Sequence, residues 1–274
     1  MRPPYRKALG QHHLRSPAHT APLIEFLRPA GELVIEIGPG DGALSGPLLA
    51  AGARVWAWEL DTAWAVRLAA RSGSAPALVV GDALDLPFER LPNGTLVAGN
   101  LPYNVATPLI DRVLDVVSIA RCGFMVQWEV GERLAARPGE PAYGAFSVLV
   151  QARARVEILG RVPRGGFRPA PKVDGALVGL TPRPDAPRGG AAEALRETAF
   201  EAFANRRKTL RNNLARAWGR PPAEGALAAL GLDGGRRAET LSVEELEALA
   251  AYRGGIVSGG SIRAVEEDPG RIGP

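Results

Sequence analysis

Leu33-Val-Ile-Glu-Ile-Gly-Pro-Gly-Asp-Gly42 combines a short apolar run with a glycine-rich segment, a pattern that predicts a buried strand ending in a tight loop. Similar apolar runs follow along the chain and alternate with helical patterns. This alternation is typical of an α/β fold with a mostly parallel sheet. The predicted strands are residues 33–37, 54–58, 77–81, 95–99 and 122–128, and the predicted helices are Ala43–Ala51, Thr62–Arg71 and Pro108–Val117.

The later part of the chain differs in pattern from the first. Apolar runs at about 146–159 and 174–181 lack a helical pattern between them, so we expect the sheet to end in an antiparallel hairpin. The proline- and glycine-rich segment 182–190 predicts a linker, and helical periodicity follows it. The helices predicted there are Ala191–Trp218, Ala223–Leu230 and Val243–Arg253. We therefore expect a first domain of residues 1–182, a helical domain of residues 190–253 and a disordered, glycine-rich tail of residues 254–274.

Composition excludes several classes of protein. Cys122 is the only cysteine, which excludes an intramolecular disulfide and a multi-cysteine zinc site and fits a reducing cytoplasm. No run approaches the roughly 20 apolar residues of a membrane-spanning helix. Basic residues concentrate near the N-terminus, within 153–172 and within 206–216. This placement favours a polyanionic partner, although a solvated surface would explain any one cluster equally well.

The glycine-rich loop predicts a ligand site. Gly38, Gly40 and Gly42 lack a Cβ, so the backbone can approach a ligand closely and adopt positive φ. An ordinary tight turn is the alternative. The Gly-x-Gly-x-Gly spacing differs from the Gly-x-Gly-x-x-Gly of dinucleotide sites, so the loop is less suited to a pyrophosphate.

Two acidic residues strengthen the prediction of a ligand site. Glu59 follows the second strand, where a carboxylate can accept hydrogen bonds from both ribose hydroxyls. Asp82 follows the third strand and can accept from an adenine amine, although a helix N-cap is an equally good explanation for it alone. A ribose acceptor and an adenine acceptor without a phosphate cradle indicate an adenosyl ligand such as S-adenosylmethionine.

Asn100-Leu-Pro-Tyr-Asn104, after the fourth strand, is the most specific motif in the chain. It matches the form of the N-methyltransferase loop found in adenine-N6 RNA enzymes, and the chain resembles the ribosomal RNA adenine dimethyltransferase family. The resemblance covers most of residues 5–250. It includes Lys7-Ala-Leu-Gly-Gln-His-His-Leu14, Glu36–Gly42, Asn100–Leu109, Phe167-Arg-Pro-Ala-Pro-Lys-Val-Asp174 and Phe203–Leu214. Two departures are His13, where the family usually has phenylalanine, and Gly175, where serine is common.

The resemblance implies a Rossmann-like class I methyltransferase sheet with a small C-terminal helical domain. It implies S-adenosylmethionine-dependent N6,N6-dimethylation of two adjacent adenosines in the 3′-terminal hairpin of small-subunit (16S) ribosomal RNA, free or within a pre-small-subunit particle, without a metal. The residues implied to bind the cofactor are His12 and Leu14 at its methionine end, Gly38 and Gly40 in the loop, Glu59 at the ribose, Asp82 at the adenine, and Asn100, which also meets the target.

The chemistry of the target explains the catalytic loop. The adenine amine is a poor nucleophile because its lone pair is conjugated with the ring. The Asn100 side-chain carbonyl and the Leu101 backbone carbonyl can accept its two hydrogens and orient it, while Pro102 stiffens the loop. We expect Tyr103 to stack on one face of a flipped-out base and Phe167 on the other.

The helical domain carries the candidate RNA-binding residues Arg206, Arg207, Lys208 and Arg211, which would contact phosphates from adjacent helical turns. Two alternatives are kept, although Phe203–Leu214 and the intact cleft motifs argue against them: an antibiotic-resistance enzyme that modifies an adenine of large-subunit RNA, and a non-catalytic ribosome assembly factor. A nicotinamide dehydrogenase is disfavoured by the glycine spacing. We expect a monomeric protein.

Overall fold

The structure is a computed structural model, and it describes residues 3–6, 11–70, 76–102, 105–253 and 255. The chain forms two compact units. The first unit comprises residues 1–187 and 239–243, and the second comprises residues 188–238 and 244–274. The predicted disordered tail lies outside the described residues except at Gly255.

The first unit is built on a seven-stranded sheet. The strands of the chain are β1 His13–Leu14, β2 Leu33–Ile37, β3 Arg54–Glu59, β4 Ala77–Val80, β5 Thr95–Asn100, β6 Ile119–Gln127, β7 Ala154–Val162, β8 Phe167–Arg168 and β9 Gly175–Pro182. The order in the large sheet is β4-β3-β2-β5-β6-β9-β7. Strands β2 to β6 pair in parallel, whereas β9 runs antiparallel to both β6 and β7. The predicted mostly parallel sheet with an antiparallel end is therefore confirmed.

Helices flank this sheet and form the second unit. Those of the first unit are α1 Ala21–Leu27, α2 Ser45–Ala50, α3 Thr62–Ala69, α4 Ala106–Leu114, α5 Trp128–Ala135 and α6 Ala145–Gln151. Those of the second unit are α7 Gly190–Ala202, α8 Leu210–Trp218, α9 Arg220–Ala229 and α10 Val243–Arg253. The first residue of α10, Val243, belongs to the first unit.

The central strands are buried on both faces. Ile35 of β2 joins a core cluster with Val97, Phe124 and residues of α4, whereas its neighbour Val34 packs into a second cluster with Leu48 of α2. Successive side chains of a strand point to opposite faces, so continuous apolar runs fit a sheet covered on both sides. Because β2, β3, β4 and β5 are parallel, their carboxyl ends meet at one edge, and the loops that follow them lie together there.

One predicted strand is wrong in part. Residues 146–159 were expected to be extended, but α6 occupies Ala145–Gln151 and β7 begins at Ala154. The Ser147 hydroxyl fixes the start of α6, since it donates to the Arg133 carbonyl at 2.6 Å and accepts from the Gly144 amide at 3.1 Å. A short apolar run has the same pattern in a buried helix as in a buried strand.

The long helix predicted for Ala191–Trp218 is also wrong, because a turn separates α7 from α8. The Asn213 side chain donates to the carbonyls of Ala202 at 2.7 Å and Asn205 at 3.1 Å, and Thr209 caps α8. Such side-chain bonds to the backbone compete with helix formation. The basic residues at 206–208 therefore lie in a turn and not on adjacent helical turns.

Candidate active site

A cleft lies at the edge of the sheet where the parallel strands end. Its walls are formed by the segment before α1, the glycine-rich loop and the residues that follow β3, β4 and β5. Nine predicted site residues line it: His12, Leu14, Gly38, Gly40, Glu59, Asp82, Asn100, Leu101 and Pro102. Tyr103 lies outside the described residues, as do Lys7 to Gly10 of the N-terminal motif.

The glycine-rich loop has a backbone conformation that favours glycine. Gly38 and Gly40 have φ of 65° and 53°, in the left-handed region that favours glycine. A Cβ at Gly40 would also lie 2.5 Å from a carbon of the His13 ring. The loop thus combines left-handed backbone conformations with the close approach of a side chain, and its role as a ligand loop stays a prediction.

Glu59 holds this loop against the end of β3. Its two carboxylate oxygens accept the backbone amides of Gly40 and Asp61, each at 2.9 Å. The side chain is 7% exposed, and burial raises its pKa while these amide bonds oppose the shift. A carboxylate has about four acceptor positions, so each oxygen can still accept a ligand hydroxyl.

Asp82 has the N-cap role considered for it. Its Oδ1 accepts the Leu84 amide at 2.9 Å and starts a 3₁₀ turn at Ala83–Asp85. The cap uses one oxygen and the residue also lines the cleft, so capping and binding are compatible at this position.

Asn100 is oriented by the N-terminal segment. Its Nδ2 donates to the His12 carbonyl at 2.7 Å. Because a carbonyl can only accept, this contact fixes the orientation of the amide group, and Oδ1 is its acceptor atom. The loop after Asn100 is held at both ends, since Leu101 donates to the Met125 carbonyl at 2.9 Å and the Pro102 carbonyl accepts from Val105 at 3.1 Å.

The His13 departure has a structural explanation. Its ring lies 4.2 Å from that of Trp64, and Tyr5 packs on both rings. The Asp41 amide donates to His13 Nδ1 at 3.2 Å, a bond that phenylalanine could not accept. His13 therefore keeps an aromatic contact and adds a tie between the N-terminal segment and the glycine-rich loop.

Phe167 does not line the cleft. It is 2% exposed and packs with Leu14, Met125 and Leu177, and a Cβ at Gly175 would lie 2.9 Å from its ring. The ring would have to leave this cluster to stack on a base. In this structure Phe167 packs against its neighbours, which accounts for glycine at position 175, and its stacking on a base stays a prediction that requires this movement.

Glu36 is a cleft residue to which the sequence motifs assigned no role. It is 1% exposed, and its Oε2 has no hydrogen-bond partner within the part of the chain that the structure describes. Burial raises its pKa to about 7, and the nearby Glu59 carboxylate adds to this effect. The sequence indicated an unusual role for Glu36, because it lies inside the apolar strand Leu33–Ile37. Burying an ionised carboxylate is costly unless it is paired or hydrogen-bonded.

The charge of the cleft follows from its composition. Four acidic residues line it, namely Glu36, Asp41, Glu59 and Asp82, and no lysine or arginine is among its described lining residues. Arg67 Nε lies 3.0 Å from Asp41 Oδ1, and this ion pair offsets the charge of Asp41. The remaining carboxylates favour a ligand that carries positive charge.

Glu36→Gln should stabilise the ligand-free protein above neutral pH. The folded protein retains the Glu36 proton up to about pH 7, whereas the unfolded chain releases it near 4.5, so stability falls as the pH rises between these values. Glutamine does not ionise, so the substitution removes the cost of burying the ionised Glu36 carboxylate. The free energy of unfolding should therefore rise by about 3 kcal/mol at pH 8, since one pKa unit corresponds to about 1.4 kcal/mol. Urea unfolding followed by circular dichroism at pH 4.5 and pH 8 measures the difference.

Glu32→Gln is the matched control, since Glu32 is exposed and directly precedes the same strand. It should leave stability unchanged at both pH values. An equal or lower stability of Glu36→Gln at pH 8 would show that Glu36 carries no cost when ionised.

Comparison with known families decides the assignment. A sequence model of the family described as "Ribosomal RNA adenine dimethylase" matches residues 4–252. The chain belongs to this family. The resemblance inferred from the motifs is thus confirmed.

Curated relatives support the same assignment. A protein of Chromohalobacter salexigens named ribosomal RNA small subunit methyltransferase A is 43% identical over 259 residues, which is 90% of each chain. A protein of Aromatoleum aromaticum with the same name is 41% identical and covers 90% of this chain and 93% of its own.

Solved structures share the fold. A dimethyladenosine transferase from Plasmodium falciparum has a TM-score of 0.75 at 21% identity and covers 89% of this chain and 98% of its own. The 23S rRNA methyltransferase ErmE has a TM-score of 0.66 at 24% identity and covers 88% and 98%. These likenesses confirm the predicted fold class. Among the described residues, none of the helices has the length and apolar character of a membrane span.

Proposed function

We propose that the chain transfers methyl groups from S-adenosylmethionine to the N6 amines of two adjacent adenosines in the 3′-terminal hairpin of small-subunit ribosomal RNA. Family membership supports methylation of ribosomal RNA adenine, and the names of the curated relatives support the small subunit as the substrate. The observation that carries the proposal is the cleft, where buried carboxylates and the fixed Asn100 acceptor meet at one edge of the sheet.

The residues of the cleft fit the proposed methyl donor. When bound, S-adenosylmethionine supplies an electrophilic methyl group on a positively charged sulfur. Glu59 and Asp82 would accept the ribose hydroxyls and the adenine amine, since each retains acceptor capacity beyond its bonds to backbone amides. Glu36 has an oxygen without a partner and lies in a cleft without lysine or arginine among its described residues, which suits a cationic ligand.

Asn100 and Leu101 would orient the target amine. The Asn100 Oδ1 and the Leu101 carbonyl can accept its two hydrogens, which disfavours conjugation with the ring and directs the lone pair into the cleft. Tyr103 remains the predicted stacking partner of the base. The methylated amine becomes acidic and loses its proton to water, so no side chain has to act as a strong base.

Methyl transfer to unmodified small subunits tests the proposal. Incubation with a labelled methyl donor, followed by digestion to nucleosides, should yield N6,N6-dimethyladenosine in small-subunit RNA. Label confined to large-subunit RNA would support the antibiotic-resistance alternative, and absence of transfer with intact binding would support an assembly factor. The monomeric state and the cytoplasmic location stay predictions, which sedimentation and cell fractionation test.

The basic turn of the second unit would contribute to RNA binding. Arg206, Arg207, Lys208 and Arg211 are exposed, and the first three share the turn that Asn213 holds. Cations so placed suit phosphates of a folded RNA and supply affinity without reading sequence.

Arg207→Ala combined with Lys208→Ala should weaken RNA binding and its dependence on salt. Loss of two phosphate contacts should lower the slope of log affinity against log salt concentration by about 2. Filter binding of small-subunit RNA between low and moderate potassium chloride measures this slope. Arg54→Ala with Arg90→Ala removes the same charge from exposed positions of the first unit and serves as the control. A slope equal to that of the control would mean that the turn is only a solvated surface.

A further inference from the structure

A second group of cations lies in the first unit beside the cleft. Arg15, Arg164, Arg168 and Lys172, which we call the basic strip, are all exposed. The sequence has no acidic residue from Met1 to Ile24 or from Ile158 to Val173. Within the described residues, none of the four forms an ion pair with a carboxylate. These four cations therefore outnumber the carboxylates in their stretches of the sequence.

The carboxylate that follows the strip in the sequence, Asp174, has other hydrogen-bond partners. Asp174 Oδ2 accepts Arg161 at 2.8 Å, and its Oδ1 accepts the Arg164 backbone amide at 2.8 Å. The Arg161 guanidinium also lies 4.7 Å from the ring centroid of Trp128. The backbone bond from Arg164 and the pairing with Arg161 hold the pKa of Asp174 below its ordinary value, so it stays ionised. Its single charge acts on both Arg161 and Arg164, so these cations together with Arg15, Arg168 and Lys172 keep a net positive charge.

The loop that carries Arg168 and Lys172 is held in place. The His12 ring donates from Nδ1 to the Pro169 carbonyl at 2.8 Å, and the Trp128 amide donates to the Asp174 carbonyl at 2.9 Å. Cations on an anchored backbone lose less conformational entropy on binding than cations on a free loop.

Strand pairing places two members of the strip, Arg15 and Arg168, beside the cleft. In the β1–β8 pair Leu14 lies opposite Phe167 and both are buried, whereas His13 lies opposite Arg168. Arg168 thus shares the face of His13, whose ring contacts the glycine-rich loop. The Arg15 amide donates to the Gly166 carbonyl at 2.8 Å, which continues the pairing and puts Arg15 on this same face.

We propose that the basic strip binds phosphates of the RNA strand that carries the target adenosine, on the flank of the cleft. The inference rests on the proposed function and adds the surface that holds the substrate backbone. A base that enters the cleft must leave its stack, so the adjoining backbone has to be held close by. Contacts to phosphates supply such positioning without base recognition, and exposed unpaired arginines suit them.

Arg164→Gln combined with Arg168→Gln tests the strip. Binding of a transcript of the small-subunit 3′-terminal hairpin should weaken on the order of tenfold at moderate salt, and the slope against log salt should fall by about 2. Affinity for S-adenosylmethionine, measured by calorimetry, should not change. Arg54→Gln with Arg90→Gln is the charge-matched control. Both residues are exposed, and Arg54 lies at the amino end of β3, whereas the cleft lies at the carboxyl ends of the parallel strands.

Arg164→Lys with Arg168→Lys keeps both charges and should bind RNA within about threefold of the wild type. If the glutamine variant binds and responds to salt like its control while the wild type binds RNA, the strip proposal is wrong. Loss of binding to assembled small subunits with normal binding to the free transcript would assign the strip to a protein partner and also overturn it. A wild-type protein that neither binds nor methylates RNA would instead refute the proposed function.

Discussion

Asn100→Ala should lower the rate of methyl transfer by a factor on the order of 10²–10³, comparable to the removal of one preorganised polar group from other active sites. The structure gives the reason. The His12 carbonyl holds the Asn100 amide nitrogen at 2.7 Å and so commits Oδ1 to the acceptor role that the target amine requires. Alanine provides neither the acceptor nor the contact to the N-terminal segment.

Single-turnover transfer to unmodified small subunits at saturating methyl donor measures this effect apart from binding. Asn93→Ala is the matched control, because Asn93 is an exposed asparagine ahead of the amino end of the same strand, β5. The control should react at the wild-type rate, and circular dichroism should show that both variants fold. A near-normal rate for Asn100→Ala would refute the proposed role of its side chain.

Glu59→Ala should weaken binding of S-adenosylmethionine by roughly 10- to 150-fold, equivalent to about 1.5–3 kcal/mol for the loss of charge-assisted hydrogen bonds. The loss has two sources. The ribose hydroxyls would lose their acceptor, and the amides of Gly40 and Asp61 would lose theirs, so the glycine-rich loop would no longer be tied to β3.

Isothermal titration with the methyl donor tests this expectation. Glu32→Ala, at the exposed position before β2, removes the same charge outside the cleft and should bind normally. Affinity of Glu59→Ala equal to that of the control would remove Glu59 from the binding site.

Much of the cleft was predictable because the order of parallel strands determines which loops meet. Glu59, Asp82 and Asn100 each follow one of the predicted strands, and parallel pairing alone brings such positions to one edge. The glycine spacing likewise predicted a loop with positive φ. These inferences need only the strand order and no knowledge of side-chain packing.

The remaining features depend on contacts between distant residues. The β1–β8 pair joins two segments of two residues each, too short to show a periodic pattern. That pair buries Phe167 and brings His12 to Asn100, so neither placement could be read from the motifs. The turn in the second unit depends on Asn213 reaching back to Ala202, an interaction that helical periodicity does not reveal.

The acidic cleft also bears on selection among cellular metabolites. Adenine nucleotides and dinucleotides share the adenosine group with the methyl donor, so the carboxylates of Glu59 and Asp82 alone would admit them. Their phosphates would enter an acidic cleft whose described lining offers no lysine or arginine to neutralise them. Discrimination would come from repulsion of the competitor as much as from attraction of the correct ligand. The acidic lining would then help to keep the cleft available when anionic competitors are in excess.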